Sequence, residues 1–159
     1  MRPAIEGDAA AIRAVVTAAF GRSLEARIVE DVRAEAAALA ELVAEAEGEV
    51  IGHLLLSRMT ARPARVVAAL GPLAVRPELQ RLGHGGALVR AGVDALRLLD
   101  AEACVVLGHP GYYPRFGFST AAAAQLASPY AGLPAFMALE LQPDALAHPL
   151  EVAYPAAFG

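Results

Sequence analysis

The sequence predicts an α/β protein with a mixed β-sheet, and three observations support this fold class. Two segments with helical spacing of apolar residues come first, followed by two strand-like segments around a short turn. A strand, an amphipathic helix and a wholly apolar strand come next, an order typical of a helical crossover between strands. Further short strand patterns complete the chain.

Two helices are predicted near the N-terminus. Asp8 is a residue type that accepts hydrogen bonds from the first amides of a helix, and Ser23 gives the same signal for a second helix. Apolar residues then recur at helical spacing. The faces that we expect to be buried consist of Ile12, Val15, Val16, Ala19 and Phe20 in the first helix and Leu24, Ile28 and Val32 in the second.

A β-hairpin is predicted next. Residues 42–45 and 50–56 are strand-like, and they flank Glu47 and Gly48, a pair typical of tight turns. A further strand is expected over residues 66–75, interrupted at Gly71 and Pro72.

The second half of the chain alternates between helix and strand patterns. The expected elements are a helix over residues 85–99, an apolar strand over 103–107, a helical turn over 112–116 and strands over 135–141 and 151–154. The intervening segment 119–134 is rich in Ala, Ser, Pro and Gly and has no firm period, so we expect it to be mobile.

Composition narrows the function classes. The 159 residues fit one domain over 1–159, and the net charge of −4 without a basic stripe argues against a nucleic-acid partner. No apolar run predicts a membrane span or a signal peptide, and Cys104, the single cysteine, is compatible with a reducing cytoplasm. The absence of lysine excludes a P-loop and a Schiff base, and the four histidines have no metal-ligand spacing.

A Gly-rich loop from Gln80 to Gly86 leads into the predicted third helix. Such a loop directs backbone N–H groups towards one point in front of a helix N-terminus, where the helix dipole also favours negative charge. Arg81 can add a charge-assisted contact to a phosphate. A Rossmann-type site is the alternative, but Leu88 stands where its third glycine would be.

The spacing Gln80-Arg81-Leu82-Gly83-His84-Gly85 resembles the pyrophosphate signature of the GCN5-related N-acetyltransferases, Q/R-x-x-G-x-G/A. The resemblance implies a mixed, mostly antiparallel sheet of about six to seven strands with a central V-shaped splay, flanked by helices. It also implies acetyl-CoA as cosubstrate. The cofactor-binding residues that it indicates are Leu73, Ala74, Val75, Gln80, Arg81, Leu82, Gly83, His84, Gly85 and Gly86.

Gly71 and Pro72 predict a bulge in the strand over residues 66–75, because proline cannot donate to a sheet ladder. A bulge would leave backbone groups of Leu73 and Val75 free to pair with the amide-rich pantetheine arm. The family resemblance places the N–H of Leu73 near the thioester carbonyl. The alternative is a simple kink in an edge strand.

A second motif, Gly108-His109-Pro110-Gly111-Tyr112-Tyr113-Pro114-Arg115-Phe116-Gly117-Phe118, is similar to bacterial acetyltransferases of the YhbS-like group. Tyr113 lies four residues before Gly117, the spacing of a family tyrosine that protonates the departing coenzyme A thiolate. A phenol with its ordinary pKa near 10 holds a proton at neutral pH. The alternative is that Tyr113 only packs, which is the role we expect for Tyr112.

The sequence does not identify a general base. Residues 66–75 contain no carboxylate, so the Glu that some relatives use has no match. His53 is left as a candidate acting through water, although a buried structural histidine is the simpler interpretation. His109 could order a water or contact the cofactor, but we interpret it as a cap of its turn. Cys104 is expected in the core.

These observations predict direct acetyl transfer from acetyl-CoA to an amine, with coenzyme A between the strands over residues 70–75 and 103–107. A non-catalytic acyl-CoA sensor is the alternative, supported by the missing carboxylate, and a plain interaction module is a third. The acceptor amine and the oligomeric state, including a homodimer, are left open.

Overall fold

The computed structural model describes residues 1–159. Its strands are β1 (Arg2–Pro3), β2 (Ala38–Ala46), β3 (Glu49–Arg58), β4 (Thr60–Arg62), β5 (Val67–Val75), β6 (Ala103–Leu107), β7 (Leu126–Ala127), β8 (Phe136–Glu140) and β9 (Leu150–Ala153). Its helices are α1 (Ala9–Phe20), α2 (Leu24–Ala34) and α3 (His84–Leu98), and short 3-10 turns include Tyr113–Phe116.

The main sheet has six strands in the order β1-β2-β3-β5-β6-β8. Only β5 and β6 run parallel; the other neighbours are antiparallel, and α3 is the crossover between the parallel pair. This confirms the predicted mixed, mostly antiparallel sheet and its hairpin. A second sheet, in the order β4-β9-β7, was not predicted. Only β9 corresponds to a predicted strand, that over 151–154, because β4 and β7, of three and two residues, are too short to show a period.

Period-two alternation along β3 distributes the core over both faces of the main sheet. Leu54 and Leu56 pack in one cluster with Leu88 and Leu96 of α3. Leu55 faces the other way and packs with buried residues of α1 and α2. The second sheet packs on the same face of the main sheet as α1 and α2, where it covers Val67 of β5 and Val105 of β6. The main sheet is therefore enclosed on both sides by helices or strands.

Three helix predictions need correction, the first being that of Phe20 in α1, which is 41% exposed rather than buried. Asp8 stands at the N-terminus of α1 but does not cap it with its side chain, because the carboxylate accepts hydrogen bonds from the Ile5 N–H at 2.9 Å and from Arg2. Ser23 likewise makes no side-chain cap on α2. The buried face of α2 is offset from the predicted one. Leu24 is 43% exposed, and the buried apolar residues are Ala26, Val29 and Val32.

The main sheet divides at its centre. β5 and β6 pair only from Val67↔Ala103 to Leu70↔Val106, and the remainder of β5 has no partner in β6. The division begins at Gly71, whose φ of 133° suits glycine, and the β3–β5 register shifts opposite it between Leu54 and Leu56. The predicted bulge and V-shaped splay are thus both present.

Candidate active site

A cavity of about 1010 Å³ opens where β5 and β6 separate. Its size is at the upper end of the range for ligand pockets. Its wall combines the free part of β5, the loop before α3, the turn after β6, the start of α2 and aromatic residues from the last third of the chain. The fold therefore brings sequence-distant segments to one concave surface.

The free part of β5 presents alternate side chains to this cavity. Leu73 and Val75 line it, whereas Ala74 is buried on the opposite face with α1 and α2. Contact between the Ala74 side chain and a ligand is therefore excluded. The amide of Gln80 donates to the carbonyl of Val75 at 3.0 Å. Gln80 thus ties the Gly-rich loop to the end of β5, a role that the motif alone did not predict.

The Gly-rich loop presents unpaired amides where α3 begins. Gly83 occupies the N-cap position, and the N–H groups of Gly83–Gly86 donate no hydrogen bond within the protein. Gly83, Gly85 and Gly86 line the cavity. Leu82, which is 65% exposed, and His84 do not line it. The arrangement can bind an anion through successive backbone donors.

Three arginines line the same part of the cavity, and none of them forms an ion pair. Arg81 is in the loop itself. The guanidinium of Arg90 lies 5.1 Å from the ring centroid of Phe116, and that of Arg115 lies 4.5 Å from that of Tyr112. Sequence analysis missed Arg90 and Arg115, although Arg90 stands one helical turn after Gly86 and Arg115 is within the second motif.

Tyr113 and Tyr112 differ in exposure. Tyr113 is only 8% exposed, and burial raises its pKa to about 12, so the phenol is protonated at neutral pH. Its ring packs edge-on against Phe118 and Tyr112. Tyr112 is half-buried, and burial raises its pKa as well. Its hydroxyl would lie 3.2 Å from a Cβ added to Gly85, so it adjoins the Gly-rich loop.

His53, the candidate base, is fully buried on β3 and does not line the cavity. It shares the face of the sheet that packs on α1 and α2, and its Nε2 lies 2.7 Å from Oε1 of Glu41. Glu41 also accepts from Arg33; burial alone would raise its pKa, but these two partners outweigh burial and lower it to about 2. The base hypothesis for His53 is wrong, and the histidine is structural.

His109 follows β6, whereas Cys104 lies within that strand. His109 lines the cavity, and its backbone carbonyl accepts from the N–H of Tyr112 at 3.0 Å, so the turn is capped by the main chain rather than by the imidazole. Cys104 is fully buried, and burial raises the pKa of its thiol. A buried, protonated thiol does not serve as an acetyl-carrying nucleophile.

Glu25, at the start of α2, is the carboxylate that lines the cavity. It is 8% exposed and ion-paired with Arg22, whose hydrogen bonds outweigh burial and lower the pKa of Glu25. Sequence analysis missed it, because its position in the first turn of a helix is also typical of a solvated acidic residue. No His, Cys, Asp and Glu side chains cluster as metal ligands would, and none of the helices has the length and apolarity of a membrane span.

Comparisons with known proteins agree with this geometry. The model of the acetyltransferase (GNAT) family matches residues 10–118. The uncharacterized N-acetyltransferase YjhQ of Escherichia coli K12 is 42% identical over 122 residues, 74% of this chain and 67% of YjhQ. The uncharacterized N-acetyltransferase YhbS of the same strain is 34% identical over 149 residues, 92% of this chain and 89% of YhbS.

Two solved structures share the fold over nearly the whole chain. E. coli YhbS in complex with CoA has a TM-score of 0.90 at 32% identity, covering 99% of this chain and 89% of that one. A GNAT family acetyltransferase from Brucella melitensis in complex with acetyl-CoA has a TM-score of 0.83 at 38% identity, covering 99% of this chain and 96% of that one.

Proposed function

This chain belongs to the GNAT family of acetyltransferases, and on that premise we propose that it transfers the acetyl group of acetyl-CoA directly to an amine held in the same cavity. One observation carries the proposal: the unpaired amides of Gly83–Gly86 and three unpaired arginines meet at one side of the splay. Binding of CoA by E. coli YhbS and of acetyl-CoA by the Brucella protein supports it.

The Gly-rich loop would hold the pyrophosphate. The Gly83–Gly86 amides donate to phosphate oxygens, and Arg81 adds a charge-assisted contact. Arg90 and Arg115 supply further positive charge for the remaining phosphate. The pantetheine arm would then run along the unpaired edge of β5 past Leu73 towards the interior of the splay.

The reaction would use few protein groups. The amine nitrogen bonds to the thioester carbonyl carbon, and the C–S bond breaks. The N–H of Leu73 donates to the carbonyl oxygen as that atom gains negative charge. The nitrogen loses its protons to solvent.

Tyr113 would act on the departing sulfur. Its pKa of about 12 lies above the ordinary thiol value near 8.5, so complete proton transfer to the thiolate is uphill. The phenol therefore donates a hydrogen bond to sulfur as charge develops, and solvent completes the protonation. This role needs no second ionisable group beside Tyr113.

Two measurements on the purified protein test the function. Calorimetry with coenzyme A is expected to show saturable binding, and an amine screen with acetyl-CoA is expected to release free thiol in step with acetylated amine. Binding without turnover of any amine would indicate the acyl-CoA sensor instead. Absence of coenzyme A binding would contradict both.

A further inference from the structure

The cavity has a second wall with a different character from the arginine-lined loop. We call it the acceptor wall, and it consists of Phe20, Glu25, Ile28, Tyr130, Tyr154 and Phe158. Four of its six residues are aromatic and one is acidic. Its residues come from α1, α2 and the segments around β7 and β9, all outside the two motifs.

Three of the four aromatic members, Tyr130, Tyr154 and Phe158, form a connected group. The ring centroids of Tyr130 and Tyr154 are 5.7 Å apart with the planes nearly perpendicular, and those of Tyr154 and Phe158 are 5.2 Å apart. Phe158 and Ile28 pack on the same cluster beneath α2. Edge-to-face packing holds such rings in place, so the wall presents a largely preformed apolar surface.

Glu25 gives this apolar wall a negative charge. It is the only carboxylate on the cavity surface, and its partner Arg22 is not part of that surface. The Arg22 side chain is 63% exposed, so solvent screens its charge more than that of Glu25. A ligand in the cavity therefore meets a carboxylate that is bordered by aromatic rings, and both features favour an ammonium group.

We propose that the acceptor is a primary monoamine with an apolar, aromatic or alkyl body, whose ammonium group is held by Glu25 while its body packs on the acceptor wall. This inference rests on the proposed function for the chemistry of transfer, but its binding step does not depend on turnover. An acceptor with a carboxylate beside its amine is disfavoured, because that group would face Glu25.

Glu25 is a positioning residue in this scheme. The ammonium loses one proton to water before the nitrogen attacks, and a neighbouring carboxylate opposes that loss. Removal of the charge should therefore raise KM for the amine without lowering kcat. A general base at this position would give the opposite result, a loss in kcat.

Binding of phenethylamine to the protein saturated with coenzyme A, measured by calorimetry at pH 7, tests the inference without a reaction. The neutral analogue 2-phenylethanol reports the apolar contribution alone. Glu25→Gln is expected to weaken phenethylamine binding at least fivefold and to leave 2-phenylethanol within twofold. Glu30→Gln makes the same charge change on α2 outside the cavity, and it should alter neither ligand.

Arg22→Gln provides an independent variant, since it keeps the carboxylate and frees it from its partner. It is expected to tighten phenethylamine binding. If Glu25→Gln does not fold, this variant alone tests whether Glu25 holds the ammonium group. The inference is overturned if the wild type does not bind phenethylamine, if Glu25→Gln binds it like wild type, or if Arg22→Gln leaves its affinity unchanged. Loss of coenzyme A binding to the wild type would instead contradict the proposed function.

Discussion

The ring of Tyr113 lies directly against the α-carbon of Gly108. A Cβ placed on Gly108 would be 2.4 Å from Cε2 and 2.9 Å from Cδ2 of that ring, closer than atoms in proteins approach. Gly108 follows β6, at one edge of the splay, so the strand end and the phenol are held in a fixed relationship. Any larger residue at 108 must move the ring or the turn.

Gly108→Ala is therefore expected to displace Tyr113. Overpacking of this kind costs about 1–3 kcal/mol, which should lower the melting temperature by several degrees. Acetyl transfer should also fall, because the phenol moves from the cavity wall. Gly111→Ala is the matched control, since nothing lies within 4 Å of its added Cβ. Equal melting temperatures for Gly108→Ala and wild type would show that the turn adjusts freely.

Tyr113→Phe keeps the ring and removes the hydroxyl. If the hydroxyl donates its hydrogen bond to sulfur only as the C–S bond breaks, kcat should fall by about 10²-fold with little change in coenzyme A affinity. Tyr112→Phe removes the neighbouring hydroxyl beside Gly85 and should leave kcat within a few fold. The measurement is steady-state turnover with an acceptor found by screening. Turnover of Tyr113→Phe within twofold of wild type, with chemistry rate-limiting, would assign Tyr113 to packing alone.

Gly85→Asp places a carboxylate at the proposed pyrophosphate site. Coenzyme A affinity, measured by calorimetry, is expected to fall at least tenfold, about 1.4 kcal/mol. Gly7→Asp adds the same charge in open space away from the cavity and controls for net charge. Gly85 is preferred to Gly83 for this test, because the φ of 93° at Gly83 would add backbone strain. Wild-type coenzyme A affinity in a folded Gly85→Asp variant would show that the loop does not bind the pyrophosphate.

Arg81→Ala separates charge from packing in the loop. It should weaken coenzyme A more than a pantetheine fragment without the nucleotide, and it should reduce the salt dependence of coenzyme A binding. Arg27→Ala, an exposed arginine without an ion pair, serves as control. Similar losses for both ligands would indicate that Arg81 shapes the loop instead.

The carboxylate of Glu41 should make the fold sensitive to acid. Its pKa is lowered from 4.5 to about 2, so its interactions with His53 and Arg33 stabilise the folded state fully above pH 4.5. That stabilisation is lost as the pH falls from 4.5 towards 2. Urea unfolding across this range should show a shallower decline for Glu41→Gln than for wild type, whereas exposed Glu35→Gln should follow wild type. Parallel declines in all three would contradict this role.

Sequence patterns predicted the structure correctly where it depends on residues that are close together in the chain. The hairpin around Glu47, the strand broken at Gly71 and the Gly-rich loop each depend on a few neighbouring residues, and all three are present. The strand pattern around Leu73 also predicted which part of β5 would be unpaired. Period-two alternation would have shown that the Ala74 side chain faces α1 and α2, so only its backbone stays a predicted cofactor contact.

The rest of the cavity depends on contacts between distant segments. Glu25 and Phe158 are far apart in the chain, and no local pattern indicates that they share a surface. His53 shows the converse: its residue type suggested chemistry, but its strand face placed it in the core beside Glu41. For His53, side-chain direction across the sheet decided the assignment rather than residue type.

The hydrogen bond from Gln80 to the Val75 carbonyl has a consequence for acyl-donor choice. It fixes the separation between the anion-binding loop and the unpaired edge of β5 before any donor arrives. In the proposed complex this separation would match the length of the arm that joins the pyrophosphate to the thioester. A donor with a shorter arm would place its phosphates in the loop but leave its carbonyl short of Leu73, so in that complex the Gln80–Val75 hydrogen bond would favour carriers with an arm of matching length.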